Sequence, residues 1–154
     1  QMKMAKEYGI ENPPNAGGGC LLTEPQFGIK AKDLFDHVEN PTINEIDLLK
    51  IGRHFRLDEE TKFVVGRNKD ENEMIKAIAL PGDILLEAKD VVGPVSILRG
   101  NNAKEHVEFA SSVTLRYSDS PKGEHGIILV KKDDSSEEVN VLRAEEETYI
   151  KFRM

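Results

Sequence analysis

Residues 126–153 carry three strand patterns in succession, with no helical pattern between them. In the last pattern, Thr148, Ile150 and Phe152 occupy alternate positions and would share one face of a strand. Strands that follow one another without a crossover helix pair in antiparallel fashion. The run therefore predicts an antiparallel meander, and an α+β fold rather than a doubly wound parallel sheet.

Four more strand patterns precede this run, so we predict a mainly antiparallel sheet with packed helices. The seven predicted strands cover residues 53–57, 62–66, 83–89, 94–99, 126–132, 139–144 and 148–153. Four helix starts resemble a capping box, in which a side-chain oxygen accepts from an early backbone N–H. They begin at Thr23, Thr42, Asn68 and Asn102. The apolar stripes of the first two helices are Phe27, Ala31, Leu34, Phe35 and Val38, then Ile43, Ile46 and Leu49.

Two regions follow from these patterns. Residues 1–50 form a helical, loop-rich segment broken at Pro13, Pro14 and the glycine run 17–19, and residues 51–154 form the α+β domain. The first residue is Gln1, and residues 2–8 have helical spacing without a start signal. We therefore expect the chain to be cut from a longer protein.

Composition narrows the classes of function. No apolar run approaches the roughly 20 residues of a membrane span, so we expect no membrane partner. The only cysteine, Cys20, excludes an internal disulfide, fits a reducing compartment and predicts a cytoplasmic location. The four histidines lack metal-ligand spacing, so we predict no metal. The net charge of −7 disfavours a stand-alone nucleic-acid binder but leaves room for a local cationic patch.

The glycine run leads directly into Cys20, and two interpretations of this segment remain open. The run lacks the lysine and hydroxyl of a phosphate-binding P-loop, so a flexible linker is the favoured reading. Cys20 precedes a predicted helix start by a few residues, where a thiolate would be stabilised. Leu21 and Leu22 instead favour an inert, half-buried thiol.

Cations concentrate between residues 50 and 69 of an otherwise acidic chain: Lys50, Arg53, His54, Arg56, Lys62, Arg67 and Lys69. His54 and Arg56 would share one face of a strand, and Arg67 precedes a helix N-terminus that favours anions. We predict that Arg53, Arg56 and Arg67 converge on one exposed surface. The alternative is that Asp70 and Glu71 occupy the helix terminus, with the acidic residues 58–60 neutralising the patch.

The segment Val65-Gly66-Arg67-Asn68, followed by Glu71-Asn72 and Met74-Ile75, resembles the NFACT-R domain, a module proposed to bind RNA. The resemblance continues through the aspartate-led strand at Gly82-Asp83, the turn 90–95 and the small-residue helix 109–118. It covers about residues 52–154. Leu85 and Glu87 stand where the family usually carries an aromatic residue and a histidine, and Val95 lies near the usual turn histidine.

The first part of the chain is similar to a junction in TrmU-type proteins, predicted tRNA thiouridylases. The similarity rests on residues 1–10, on 16–25 around Cys20, and on 48–57. It implies an upstream adenylating PP-loop domain that uses ATP, and a role for Cys20 only together with that domain.

These resemblances imply an RNA-binding accessory domain of a tRNA-thiolation-type enzyme, with tRNA as partner and no catalytic residue or cofactor in this chain. The implied RNA contacts are Arg53, His54, Arg56, Arg67, Asn68, Lys69 and Asn72. With few aromatic residues, we expect weak, mainly electrostatic binding with little sequence preference. The alternative is a protein-interaction or dimerisation module that uses an edge strand.

Overall fold

The computed structural model describes residues 25–154. Our predictions for residues 2–8, the glycine run, Cys20 and the helix cap at Thr23 lie outside the described residues. The chain divides into two compact units between Leu49 and Lys50.

The first unit contains helices α1 (Pro25–His37) and α2 (Ile43–Leu48). The predicted capping box is confirmed at Thr42, whose hydroxyl accepts from the Glu45 N–H while the Glu45 carboxylate accepts from the Thr42 N–H. Most of the predicted apolar stripe is packed together: Phe27, Leu34 and Leu49, with Ala31, Val38 and Ile46 against them. Phe35 and Ile43 are exposed, so their assignment to the packed stripe was wrong.

The second unit is a six-stranded sheet in which every pair of neighbouring strands is antiparallel, which confirms the predicted fold class. Its spatial order is β1-β2-β4-β3-β5-β6. The strands are β1 (Arg53–Asp58), β2 (Thr61–Val65), β3 (Ile84–Ala88), β4 (Val95–Gly100), β5 (His125–Lys132) and β6 (Ser135–Leu142).

Helices cover both faces of this sheet. Phe55, Phe63 and Leu98 are register neighbours on one face, and they join a core that includes Ala110 and Val113 of α4 (Val107–Arg116). Helix α3 (Lys69–Ile78) lies on the opposite face, where Ile75 is fully buried and Lys76 contacts Glu87 of β3. Apolar residues on both faces explain why strand β2 is buried at every position.

The prediction of a seventh strand at residues 148–153 was wrong. The segment instead forms a short helix α5 (Glu146–Tyr149) and a 3₁₀ turn (Ile150–Phe152). Tyr149 is buried against Phe55 and Tyr117, an arrangement that the alternating pattern could not indicate. A single β-bridge between Phe55 and Arg153 then sets the chain end against the edge of β1.

Two of the predicted helix caps differ from expectation. Asn68 caps α3 by accepting from the Glu71 N–H, but the Glu71 carboxylate turns to Arg67 instead of reaching back to the cap. Asn102 makes no capping bond; its side-chain amide donates to Asp58, and a 3₁₀ turn (Ala103–His106) precedes α4. The prediction of a cap at Asn102 was therefore wrong, because a tertiary acceptor takes the side chain.

Acid should weaken the fold through Asp58. Its carboxylate accepts from the Glu60 N–H at 2.7 Å and lies 2.7 Å from His106 Nε2. Partial burial raises the pKa of Asp58, but hydrogen bonds from His106, Glu60 and Thr61 outweigh it and bring the pKa to about 2. Because the folded pKa lies below the ordinary 3.8, this contribution is present above about pH 4 and is lost as the pH falls through 2.

The check is urea unfolding of wild type and Asp58→Asn between about pH 5 and pH 2. The variant should lose less stability over this interval than wild type does. Equal losses in the two proteins would show that Asp58 does not carry the effect.

Candidate nucleic-acid interface

Arg67 lies in the turn between β2 and α3, where its guanidinium is held by Glu71. Nε donates to Oε1 at 2.9 Å, Nη2 donates to Oε2 at 2.6 Å, and the Arg67 N–H also donates to Oε1. The hydrogen bond from the Arg67 side chain lowers the pKa of Glu71 despite its burial. A carboxylate therefore already occupies the helix terminus, as the alternative interpretation of this segment proposed. A phosphate would have to compete with this pair.

The Asn72 side chain forms a hydrogen bond with the protein backbone. Its Oδ1 accepts from the Val95 N–H at 3.0 Å, while the Gly66 N–H donates to the Val95 carbonyl at 3.0 Å. A Cβ at Gly66 would collide with Asn72 Oδ1, so the close approach requires glycine here. The Val-Gly-Arg-Asn segment and Asn72 thus form a clamp that ties the start of β4 to the turn before α3.

The three cationic residues of β1 do not share a surface. Arg53 faces the same side as Phe55, and its guanidinium lies 4.5 Å from the ring centroid of Tyr117 at the end of α4. Arg56 points to the other side, where its register neighbour is Lys62. Alternation along one strand separates the two arginines, so their predicted convergence was wrong.

His54 lies inside the protein. Its side chain is 1% exposed, and Nε2 lies 2.9 Å from the Ile51 carbonyl. The predicted face carrying both His54 and Arg56 is present, but burial withdraws the imidazole from solvent. Of the other predicted contacts, Lys69 is exposed in the first turn of α3, and Asn68 is engaged as the cap.

Several lysines and arginines among residues 25–154 form an ion pair with a carboxylate. The pairs are Lys32–Asp36, Arg67–Glu71, Lys76–Glu87, Lys89–Glu138 and Arg99–Asp83. Arg53, Lys151 and Arg153 differ: within residues 25–154 none of them pairs with a carboxylate, and the first two lie over aromatic rings. These side chains remain able to meet an external anion without breaking an internal ion pair.

Tyr117 connects two of these cations. Burial and a hydrogen bond to Tyr149 together raise the pKa of the Tyr117 hydroxyl to about 12. The positive charges of Arg153 and Arg53 act in the opposite direction and lower the pKa of Tyr117. Sequence reasoning selected Arg53 but missed Tyr117, Lys151 and Arg153. The signal was the mixture of aromatic and basic residues at 149–153, which we read only as strand alternation.

Residues 25–154 contain neither a candidate metal site nor a helix able to span a membrane. Across residues 25–154, no cluster of three His, Cys, Asp or Glu side chains is arranged to hold a metal ion. Among the helices of that same range, none has the length and apolar character needed to cross a membrane.

The fold defines a class of α+β proteins built on one antiparallel sheet with helices on both faces. Residues 52–153 match the family described as the NFACT protein RNA binding domain, and the chain belongs to this family. The NFACT-R part of the predicted resemblance is thereby confirmed.

A solved structure, the C-terminal part of the fibronectin/fibrinogen-binding protein from Streptococcus suis, is similar in fold. The TM-score is 0.56 at 15% sequence identity, over 80% of this chain and 59% of that one. The present chain thus spans less than two thirds of that structure. No curated protein matches this sequence.

Proposed function

We propose that this chain is an RNA-binding accessory domain that presents tRNA to an enzyme of the tRNA-thiolation type. The observation that carries RNA binding is membership of the NFACT RNA-binding-domain family over residues 52–153. The cations without internal ion pairs near β1 support it, because phosphate contacts supply most of the affinity for RNA.

The enzyme context rests on the sequence similarity of residues 1–25 and 48–57 to TrmU-type junctions. In this proposal the adenylating PP-loop domain lies upstream and uses ATP, and Cys20 acts in sulfur transfer only with that domain. The sequence upstream of Gln1 tests this part, because the proposal requires a pyrophosphate-binding loop of the form S-G-G-x-D-S there.

A protein-interaction module is the second candidate. Strand β6 forms one edge of the sheet, is exposed along most of its length, and carries Glu137 and Glu138 in a chain of net charge −7. An exposed edge can add a strand from another protein.

Binding of labelled tRNA by the 154-residue chain should fall steeply with salt. Three phosphate contacts imply a loss of about twentyfold or more between roughly 50 and 200 mM salt. Several unrelated tRNAs should bind alike, because phosphate contacts carry no base information. Arg67→Gln shows whether the Arg67 turn takes part: equal weakening of all tRNAs would place a phosphate contact there, and unchanged binding would place the contacts elsewhere, with a thermal melt as the folding control.

Salt-independent binding, or selective binding of one tRNA, would contradict this electrostatic mechanism. Absence of tRNA binding at both salt concentrations would favour the protein-interaction module.

A further inference from the structure

We propose that single-stranded RNA binds along the edge of β1, on a surface built from the C-terminal segment and α4. We call this surface the edge patch; it consists of Arg53, Phe109, Tyr117, Lys151, Phe152 and Arg153. The proposal deepens the proposed RNA-binding function and rests on it. It assigns the RNA contacts to a region different from the Arg67 turn.

Tertiary contacts bring the edge patch together. The β-bridge between Phe55 and Arg153, and the hydrogen bond from the Met154 N–H to the His54 carbonyl at 2.9 Å, hold the chain end against β1. Phe152 packs edge-on against Phe109 of α4, with ring centroids 5.4 Å apart. Arg53 lies two residues before Phe55 on the same face of β1. The bridge between Phe55 and Arg153 therefore brings Arg53 close to the C-terminal segment, although the two are distant in the sequence.

The chemistry of the patch suits a single strand. Lys151 Nζ lies 5.2 Å from the centroid of the Phe152 ring, and Arg53 lies over the ring of Tyr117, so two of the cations each contact an aromatic ring. Lys151 and Arg153 are exposed, while Phe109, Tyr117 and Phe152 are half-buried. Cations that track phosphates next to rings or guanidinium planes that stack bases are the arrangement by which proteins bind single strands.

Electrostatics favour this surface over the two paired arginines, Arg67 and Arg99. Arg67 and Arg99 are each held by a carboxylate, so phosphate binding there would break an ion pair. Within the described residues Arg53, Lys151 and Arg153 have no such pair. Glu145, Glu146 and Glu147 precede this segment in the sequence, and in the described part of the chain none of them pairs with Lys151 or Arg153.

The test measures binding of a labelled single-stranded oligonucleotide of about 16 nucleotides, and of a duplex of equal length, to the 154-residue chain. Arg153→Gln should weaken single-strand binding roughly fivefold and reduce the slope of log affinity against log salt by about one contact. Phe152→Leu should weaken binding by a similar factor with the slope unchanged, because stacking releases no counterion.

Lys132→Gln is the matched control, since Lys132 is also exposed, at the end of β5, and lies outside the patch. It should bind RNA as wild type does. Thermal melts of all variants separate loss of contact from loss of fold.

The outcomes distinguish this proposal from the one on which it rests. If wild type binds RNA while the folded patch variants bind equally well and Arg67→Gln does not, the edge patch is excluded and RNA binding stands. If wild type prefers the duplex, the single-strand assignment is wrong. If wild type binds tRNA but neither of these probes, the edge patch is excluded and tRNA binding stands; if it binds none of the three, both proposals fail.

Discussion

Replacing Asp83 by alanine should lower the free energy of unfolding by about 3–5 kcal/mol. Asp83 Oδ2 accepts from Arg99 Nη2 at 2.7 Å and from the Leu80 N–H at 2.8 Å, and Oδ1 accepts from Arg99 Nε at 3.1 Å. The two charged side chains are only 6% and 15% exposed. Removing the carboxylate would leave a largely buried guanidinium without its counter-charge, the change that is most damaging to a buried pair.

Urea unfolding of wild type and Asp83→Ala measures the effect. Lys89→Ala is the control, because Lys89 forms an exposed pair with Glu138 across the sheet. The loss of stability in Lys89→Ala should be much smaller than in Asp83→Ala, because solvent screens an exposed pair. Similar losses in the two variants would mean that burial does not strengthen the Asp83–Arg99 pair.

The Asp83 result also bears on the family pattern. The sequence resemblance identified an aspartate that leads strand β3, without indicating its role. The structure explains it: Asp83 fastens the start of β3 to Arg99 of β4 and to the loop that follows α3. The aspartate is therefore expected to affect stability first, and RNA affinity only through the fold.

Replacing Gly100 by alanine should cost about 3 kcal/mol of stability or more. Gly100 ends strand β4 with φ of +138°, which L side chains rarely adopt, and it pairs with Thr61. A Cβ there would overlap the Glu60 carbonyl oxygen, and this backbone cannot move aside as a flexible side chain could. Steric overlap therefore adds to the conformational strain.

Gly123→Ala provides the comparison for Gly100→Ala. Gly123 also has a positive φ of +79°, but nothing lies within 4 Å of a Cβ built on it. The free energy of unfolding of Gly123→Ala should fall by about 1–2 kcal/mol, which is the cost of the left-handed backbone alone. The difference between the two unfolding free energies isolates the steric overlap, and equal values would show that the turn between β1 and β2 yields easily.

Local patterns were sufficient for much of the architecture. Six of the seven predicted strands are present, because alternation and β-branched runs reflect burial on one or both faces of a sheet. The caps at Thr42 and Asn68 are present because donor and acceptor lie within three residues of each other. The family resemblance around Gly66 and Arg67 was also visible in the sequence alone, since it depends on residue identity at fixed spacing.

The sequence by itself thus determined the fold class, most elements and the family, whereas the tertiary structure decided which side chains can meet RNA. Tertiary packing buried His54, paired Arg67 with Glu71 and placed Arg53 and Arg56 on opposite faces. Residues 148–153 were predicted as a strand, but residues 146–152 form helical turns, because burial of Tyr149 against Phe55 and Tyr117 outweighs local alternation. These outcomes depend on contacts between distant residues, and no local pattern records them.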